Sequence, residues 1–281
     1  MSNLTIEINK KEYKLDKSFI FSGGEIQIKL PDFMEIPHAP HRKNIYIRTK
    51  LDSANAIMEL LLTTDALDRR FPEIKFCLIV DYFPYARQDR ACVSGEAFSL
   101  EVMCNLINSL GFATVFISDV HSDIALDLLN NVANREQWQY VTDIVDEFDI
   151  PINDMLLVSP DKGALLKMEE IAQWYHKTPV NAYKVRCPIS GDIVETKIDI
   201  DDFDGVDIFI ADDICDGGRT FTELAKVLKS KNCGKIYLYV THGIFAKGFD
   251  DLKASGIEHI YTTDSICRYE SDDYLSVHLI K

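Results

Sequence analysis

The chain has 281 residues and a formal charge of −15, with 30 Lys plus Arg against 45 Asp plus Glu. That balance disfavours a nucleic-acid partner, yet leaves room for nucleotides held by local loops, Lys, Arg and Mg²⁺. Hydrophobic residues make up 47%, as in globular proteins, and the length suits one large domain or two ordinary ones. No run of about 18 apolar residues occurs, so no membrane-spanning helix is expected, and the first residues lack the apolar core of a signal peptide.

The patterning alternates in chain order. A short strand is predicted at 44–47 and a helix from about 53 to 69. An apolar strand follows at 74–82, a helix at 96–110 and a strand at 113–117 that runs into Asp119-Val-His121. After a polar segment at 130–139 the alternation restarts: strand 155–158, helix 163–175, strand 206–211, helix 220–229, strand 235–240. Such alternation predicts an α/β fold with mostly parallel sheets flanked by helices. The halves echo each other, each with a strand ending in an acid and a later strand ending in histidine. This suggests two related domains, 1–135 and 136–281, with ligands at the carboxyl ends of the strands.

The seven cysteines sit at no metal-ligand spacing and are expected to be free thiols in a reducing cytoplasm. His38-x-x-His41 lies in a Pro-rich stretch without an acid cluster, which favours a solvated loop over a metal pair.

Chemistry concentrates in four places. Val206 to Phe221 predicts a buried strand, then Asp212 and Asp213, a glycine loop (Asp216, Gly217, Gly218, Arg219, Thr220) and a helix start. Glycines at a helix N-terminus let backbone N–H groups approach a phosphate, while carboxylates at the loop entrance can grip sugar hydroxyls. A phosphorylated ribose is the ligand class this combination suits. Phe83-Pro-Tyr-Ala-Arg-Gln-Asp-Arg90 places arginines and aromatics after a strand, where they suit a nucleotide or a solvated loop. His121 and Asp161, each after a strand, could share a Mg²⁺ whose other ligands are phosphate oxygens and water. Lys184 and Arg186 alternate on a predicted strand, facing an anion or solvent.

Together these motifs resemble the ribose-phosphate pyrophosphokinases, over about residues 21–279. The most specific element is Phe83 to Arg90; Asp119-Val-His121, Ser159-Pro-Asp161 and Asp212-Asp-x-x-Asp216 follow in family order. The resemblance implies two phosphoribosyltransferase-like domains and a homo-oligomer with the dimer as minimum. It implies transfer of the β,γ-pyrophosphoryl group of Mg-ATP to the anomeric hydroxyl of ribose 5-phosphate. It assigns Lys184, Arg186 and Arg90 to catalysis. Arg87, Gln88, Asp89 and His121 would serve ATP, with Glu25 reaching the adenine from a neighbouring subunit. Mg²⁺ falls to His121 and Asp161, ribose hydroxyls to Asp212 and Asp213, and the 5-phosphate to Asp216–Thr220.

Three departures from the family pattern matter. Phe21-Ser-Gly-Gly-Glu25 lacks one acid. The segment Asp89 to Glu96 keeps only Arg90 as a cation. Arg219 stands where the phosphate loop is ordinarily small, which suits an acceptor whose phosphate continues outward. The pattern is similar to a divergent branch associated with NAD salvage that pyrophosphorylates ADP-ribose. ADP-ribose is therefore favoured over ribose 5-phosphate. A non-catalytic regulatory relative and a phosphoribosyltransferase are the alternatives.

Overall fold

The computed structural model describes residues 4–8, 11–15, 19–31, 45–186 and 193–280. The chain divides into two compact units, Met1–Arg135 and Glu136–Lys281.

The first unit contains β1 (Thr5–Ile8), β2 (Lys11–Lys14), β3 (Phe19–Ile20), β4 (Ile26–Gln27), β5 (Ile45–Arg48), α1 (Ala54–Arg70), β6 (Cys77–Val80), α2 (Ser99–Ser109), β7 (Thr114–Ser118), α3 (Ile124–Leu128) and β8 (Val132–Arg135). Its main sheet has the order β2-β1-β5-β6-β7-β8. The four strands from β5 to β8 run parallel, and β1 pairs antiparallel with β2 and β5. α1 starts where the Ser53 hydroxyl accepts the Ala56 N–H at 3.2 Å, satisfying one first-turn donor.

The second unit contains α4 (Gln137–Glu147), β9 (Leu156–Ser159), α5 (Leu165–Trp174), β10 (Val180–Arg186), β11 (Ile193–Ile198), β12 (Ile208–Cys215), α6 (Arg219–Ser230), β13 (Ile236–Gly243), α7 (Asp250–Ala254), β14 (Ile257–Thr263) and β15 (Leu275–His278). Its sheet order is β11-β10-β9-β12-β13-β14-β15, parallel except for the β10–β11 hairpin. Alternation along β12 fills both faces. Ile208 and Ile210 pack with Phe221, Leu224 and Leu228 of α6, while Phe209 and Ala211 pack with residues of α4 and α5. The α6 residues recur at helical spacing, and each large buried side chain contributes roughly 2 kcal/mol.

Four boundaries differ from the sequence expectation, each for a physical reason. β12 runs on through Asp212 and Asp213 to Cys215, because β13 continues to pair with it, Asp212 with Val240 and Cys215 with Gly243. The two acids therefore sit within a strand. Arg219 is the first residue of α6 and so lies past the turn. α2 begins at Ser99 instead of residue 96, because the Glu96 carboxylate folds back to accept the Cys92 and Val93 N–H groups at 2.8 and 3.1 Å. The segment expected to be a polar loop at 130–139 holds β8 and the start of α4, whose capping box joins Glu136 and Gln139.

No helix among the described residues is long and apolar enough to cross a membrane. The six described cysteines are free; Cys187, His38 and His41 lie outside the described residues.

Candidate active site

In the second unit, β10, β9 and β12 are neighbours, and their carboxyl ends bring distant residues together. Asp161 follows β9 by two residues. Its Oδ1 accepts the Gly163 and Ala164 N–H groups at 2.9 and 3.3 Å, and its backbone carbonyl accepts the Ser159 hydroxyl at 2.8 Å. Lys184, from β10, places Nζ 2.7 Å from Asp161 Oδ2 and donates to Thr220 Oγ1 at 3.2 Å. Burial alone would raise the Asp161 carboxyl; the Lys184 ammonium outweighs it and holds the group below its ordinary range.

Asp212 has the opposite balance. Burial pushes its carboxyl well above the ordinary range, and the charges of Asp213 and then Asp161 push further. The Asp213 N–H, donating to Asp212 Oδ1 at 2.9 Å, opposes this only in part. Asp213 is met by Lys167 Nζ at 3.4 Å. Burial, then the charges of Asp212 and Asp216, raise the Cys215 thiol to about 12, so it stays protonated and inert.

The turn from β12 into α6 is built for close approach. Gly218 has φ of +74°, where an L side chain is strained, and a Cβ there would press on Leu252 at 3.1 Å. The Ala246 N–H donates to the Asp216 carbonyl at 3.0 Å and pins the loop to the segment after β13. Lys247 crosses this loop, its methylenes 3.5 Å from where a Gly217 Cβ would lie. The free N–H groups of the first turn of α6 and its dipole suit a phosphate here. Arg219 turns away along the helix, its Nε 2.6 Å from Glu223 Oε1, and is largely exposed.

The first unit gathers a second set. Asp81, just after β6, is paired with Arg48 Nη1 at 2.8 Å and accepts the Ser118 hydroxyl at 3.2 Å. Buried Phe83 and Ala86 anchor the following loop and leave Arg87 and Gln88 exposed. The Gln88 carbonyl accepts the Leu100 N–H at 3.3 Å, tying the loop to α2. Asp89 receives Arg90 Nε and Nη2 at 2.7 and 2.9 Å and the Ser122 hydroxyl at 2.9 Å. The Arg90 hydrogen bonds, and to a lesser degree Ser122 and His121, lower the Asp89 carboxyl to about 2. Through Ser122 the arginine loop is thus joined to the segment carrying exposed His121 and buried Asp119.

Residues 8–111 match the N-terminal domain of ribose phosphate pyrophosphokinase, and residues 166–280 match the phosphoribosyl synthetase-associated domain. The chain is 28% identical to a ribose-phosphate pyrophosphokinase of Mycoplasmopsis pulmonis over 94% of its own length and 80% of that protein. It is 30% identical to the Bradyrhizobium diazoefficiens protein of the same name, covering 83% of this chain and 74% of the relative. The chain belongs to the ribose-phosphate pyrophosphokinase family. Its fold matches the crystal structure of phosphoribosylpyrophosphate synthetase from Mycobacterium smegmatis with a TM-score of 0.77, at 21% identity and covering 94% of this chain and 85% of that one. As a family member it is a transferase of the ribose-phosphate diphosphokinase type, with the two phosphoribosyltransferase-like sheets of that fold.

Within this ribose-phosphate pyrophosphokinase fold, the expected site residues fall into two groups. Asp161, Lys184 and Thr220 meet directly, with Asp212, Asp213 and the glycine turn on the adjoining strand end. Arg87, Gln88, Asp89, Arg90 and His121 gather in the first unit. His121 and Asp161 belong to different units. Among the described residues, no group of three or more His, Cys, Asp and Glu converges as a metal cluster. Glu25 is exposed on the β3–β4 hairpin, where its carbonyl accepts the Phe21 N–H at 2.8 Å. Arg186 closes β10 after a register shift at Val185/Arg186, which breaks simple alternation with Lys184; its side chain lies outside the described residues.

Sequence reasoning missed Lys167, which meets Asp213, and Lys247, which covers Gly217. Lys167 carried a legible signal, standing in the first turn of the helix that follows the Asp161 loop. Lys247 carried none, because its place depends on the contact between two loops.

Proposed function

We propose that the enzyme transfers the β,γ-pyrophosphoryl group of Mg-ATP to the anomeric hydroxyl of a 5-phosphorylated ribose, releasing AMP. The observation that carries this reading is Lys184, held by Asp161 and by Thr220 of the phosphate turn. A cation fixed beside the acceptor loop stabilises charge on the transferring group, and pyrophosphoryl transfer needs positioning and cations more than a protein nucleophile. Arg186 and Arg90 are assigned the same electrostatic task. Arg87, Gln88, Asp89 and His121 are assigned to ATP. Asp212 and Asp213 accept the ribose hydroxyls, and hydroxyl donors relieve the like-charge stress between them. Asp216 to Thr220 hold the 5-phosphate.

The donor set fits magnesium. Asp161 is ionised and offers hard oxygen, and Mg²⁺ takes few protein carboxylates and fills the rest with phosphate and water. Asp161 is the carboxylate we assign to it, with His121 as the first unit's candidate. When bound, Mg²⁺ neutralises charge on the phosphate oxygens.

The names of the relatives speak for ribose 5-phosphate as acceptor. We favour ADP-ribose, because Arg219 stands outside the turn, exposed, where a 5-phosphate that continues into a diphosphate would meet a cation. Glu25 and the exposed Phe19, Ile20 and Phe21 beside it support a second copy of the chain, with Glu25 serving the neighbour's adenine. AMP release with Mg-ATP and each acceptor tests the reading. Higher kcat/KM with ADP-ribose is expected; equal or better turnover of ribose 5-phosphate removes the preference, and no AMP with either removes pyrophosphoryl transfer.

A further inference from the structure

A cavity of about 550 Å³ opens along one side of α6, starting at Arg219 where the phosphate turn ends. Arg219, Glu223, Lys226 and Val227 line it from the helix, and Tyr183 and Thr196 from the β10–β11 hairpin. In a chain of net charge −15, this cavity is locally cationic. Lys197, Arg219, Lys226 and Lys231 border it against two carboxylates, Asp199 and Glu223. Both carboxylates are engaged. Glu223 holds Arg219 at 2.6 Å, and Asp199 accepts the Tyr183 hydroxyl at 2.7 Å.

One polar group is left to face a ligand. Lys226 has no hydrogen bond or ion pair among the described residues. Thr196 forms part of the wall, with its hydroxyl oxygen buried beneath the surface. Lys231 is spoken for, donating to the Ile198 carbonyl at 3.2 Å and to that of Ile200, and forms part of the wall.

We propose that this cavity binds a phosphate-bearing moiety of nucleoside size. Its phosphates meet Arg219 and Lys226, and its ring system rests on Tyr183 and Val227. The volume lies within the roughly 300–1,000 Å³ of small-molecule sites, and cations beside an aromatic face suit a nucleotide. The moiety has two possible sources: it is the far end of a long acceptor whose ribose sits at the turn, or it is a free nucleotide. Only the first rests on the acceptor preference proposed above.

Titration calorimetry on the full chain separates them, with the ATP site filled by α,β-methylene ATP and Mg²⁺ so that no AMP can be released. ADP-ribose and ADP are titrated with and without ribose 5-phosphate. Lys226→Glu is expected to weaken binding of one or both at least about tenfold, a change of about 1.4 kcal/mol. KM for Mg-ATP should stay unchanged in this variant, which shows that it is folded. An effect on ADP-ribose alone, competed by ribose 5-phosphate, marks the attached source. Binding of ADP that persists with ribose 5-phosphate present marks the free one. Because binding is read without turnover, an enzyme that does not turn over ADP-ribose can still pass. Absence of binding by both ligands, or affinities unaltered in Lys226→Glu, overturns the proposal.

Discussion

Each unit carries an aspartate towards the carboxyl end of a central strand, Asp81 just after β6 and Asp212 within β12, and the two are treated in opposite ways. Asp81 is neutralised by Arg48 at 2.8 Å and steadied by Ser118. Asp212 has Asp213 beside it, and its carboxyl is pushed well above the ordinary range. The histidines diverge as well. His121 is exposed, whereas His242 is 1% exposed with Nδ1 2.8 Å from the Ser265 hydroxyl. We read Asp81 and His242, each satisfied by its neighbours, as parts of the scaffold. An acid left under like-charge stress, or a histidine open to solvent at a strand end, is available for a ligand.

The sharpest test sets two similar ion pairs against each other. Lys184–Asp161 and Arg48–Asp81 are both partly buried, at 2.7 and 2.8 Å. Lys184→Ala is expected to lower kcat about a thousandfold or more, with KM for ATP nearly unchanged, because its contact strengthens in the transition state. Arg48→Ala should leave kcat within a few-fold and lower unfolding stability by about 1–2 kcal/mol, because Asp81 is left without its cation. AMP release and urea denaturation of both variants read the contrast. Equal kcat losses would erase it.

The histidine pair gives the next largest effect. His242→Ala opens a void in a packed strand and leaves the Ser265 hydroxyl with only its bond to the Thr241 carbonyl, so a loss of about 2–3 kcal/mol is expected. His121→Ala should hold the wild-type denaturation midpoint while kcat/KM for Mg-ATP falls about a hundredfold. A destabilised His121→Ala enzyme of full activity would invert the assignment.

The strand ends themselves were more legible in the sequence than the partners their side chains find there. Alternating apolar runs made β6, β7, β9, β12 and β13 legible, because buried parallel strands are apolar on both faces. The first strands were hidden: β1 and β2 are four residues each and interleave charged residues such as Lys11 and Glu12. β8 was hidden by its polarity, being an edge strand whose residues are only half-buried. At the site, Asp161, Lys184 and Thr220 could be named as candidates, but their meeting depends on the order β10-β9-β12, which no local pattern encodes. Asp81 and Asp212 looked alike for the same reason. Arg48 comes from another strand and was not legible as the partner of Asp81.

Asp212→Asn probes that likeness from the other side. The raised carboxyl binds protons in the folded state that the unfolded chain has already lost. Stability therefore falls as pH rises from the ordinary carboxylate range towards the folded pKa, and stays reduced above it. Removing the charge is expected to stabilise the protein by about 1 kcal/mol at neutral pH. KM for the acceptor should rise at least about tenfold as a ribose contact is lost. Thermal unfolding and acceptor kinetics on one preparation check both. A destabilised variant would place Asp212 with Asp81 among the scaffold acids.

The smallest effect concerns Asp89, where the first unit stores its one strongly lowered carboxylate among the described residues. Its carboxyl is brought to about 2 by the Arg90 hydrogen bonds, with help from Ser122. A lowered acid contributes stability that is present in full above the unfolded pKa and lost as pH falls through the folded value. That contribution should thus hold at neutral pH and fade only on acidification from about pH 4 towards about 2. Carboxyl ¹³C shifts of Asp89 should stay flat from about pH 6 down to about pH 3, where ordinary aspartates have largely titrated. Ser122→Ala should move the midpoint up, and so should high salt, because Arg90 is exposed and its charge is screened. A midpoint at the ordinary value would mean that Asp89 does not hold Arg90. The arginine loop of the first unit would then carry an unrestrained cation, and the contrast with Lys184, fixed by Asp161 and Thr220, would widen.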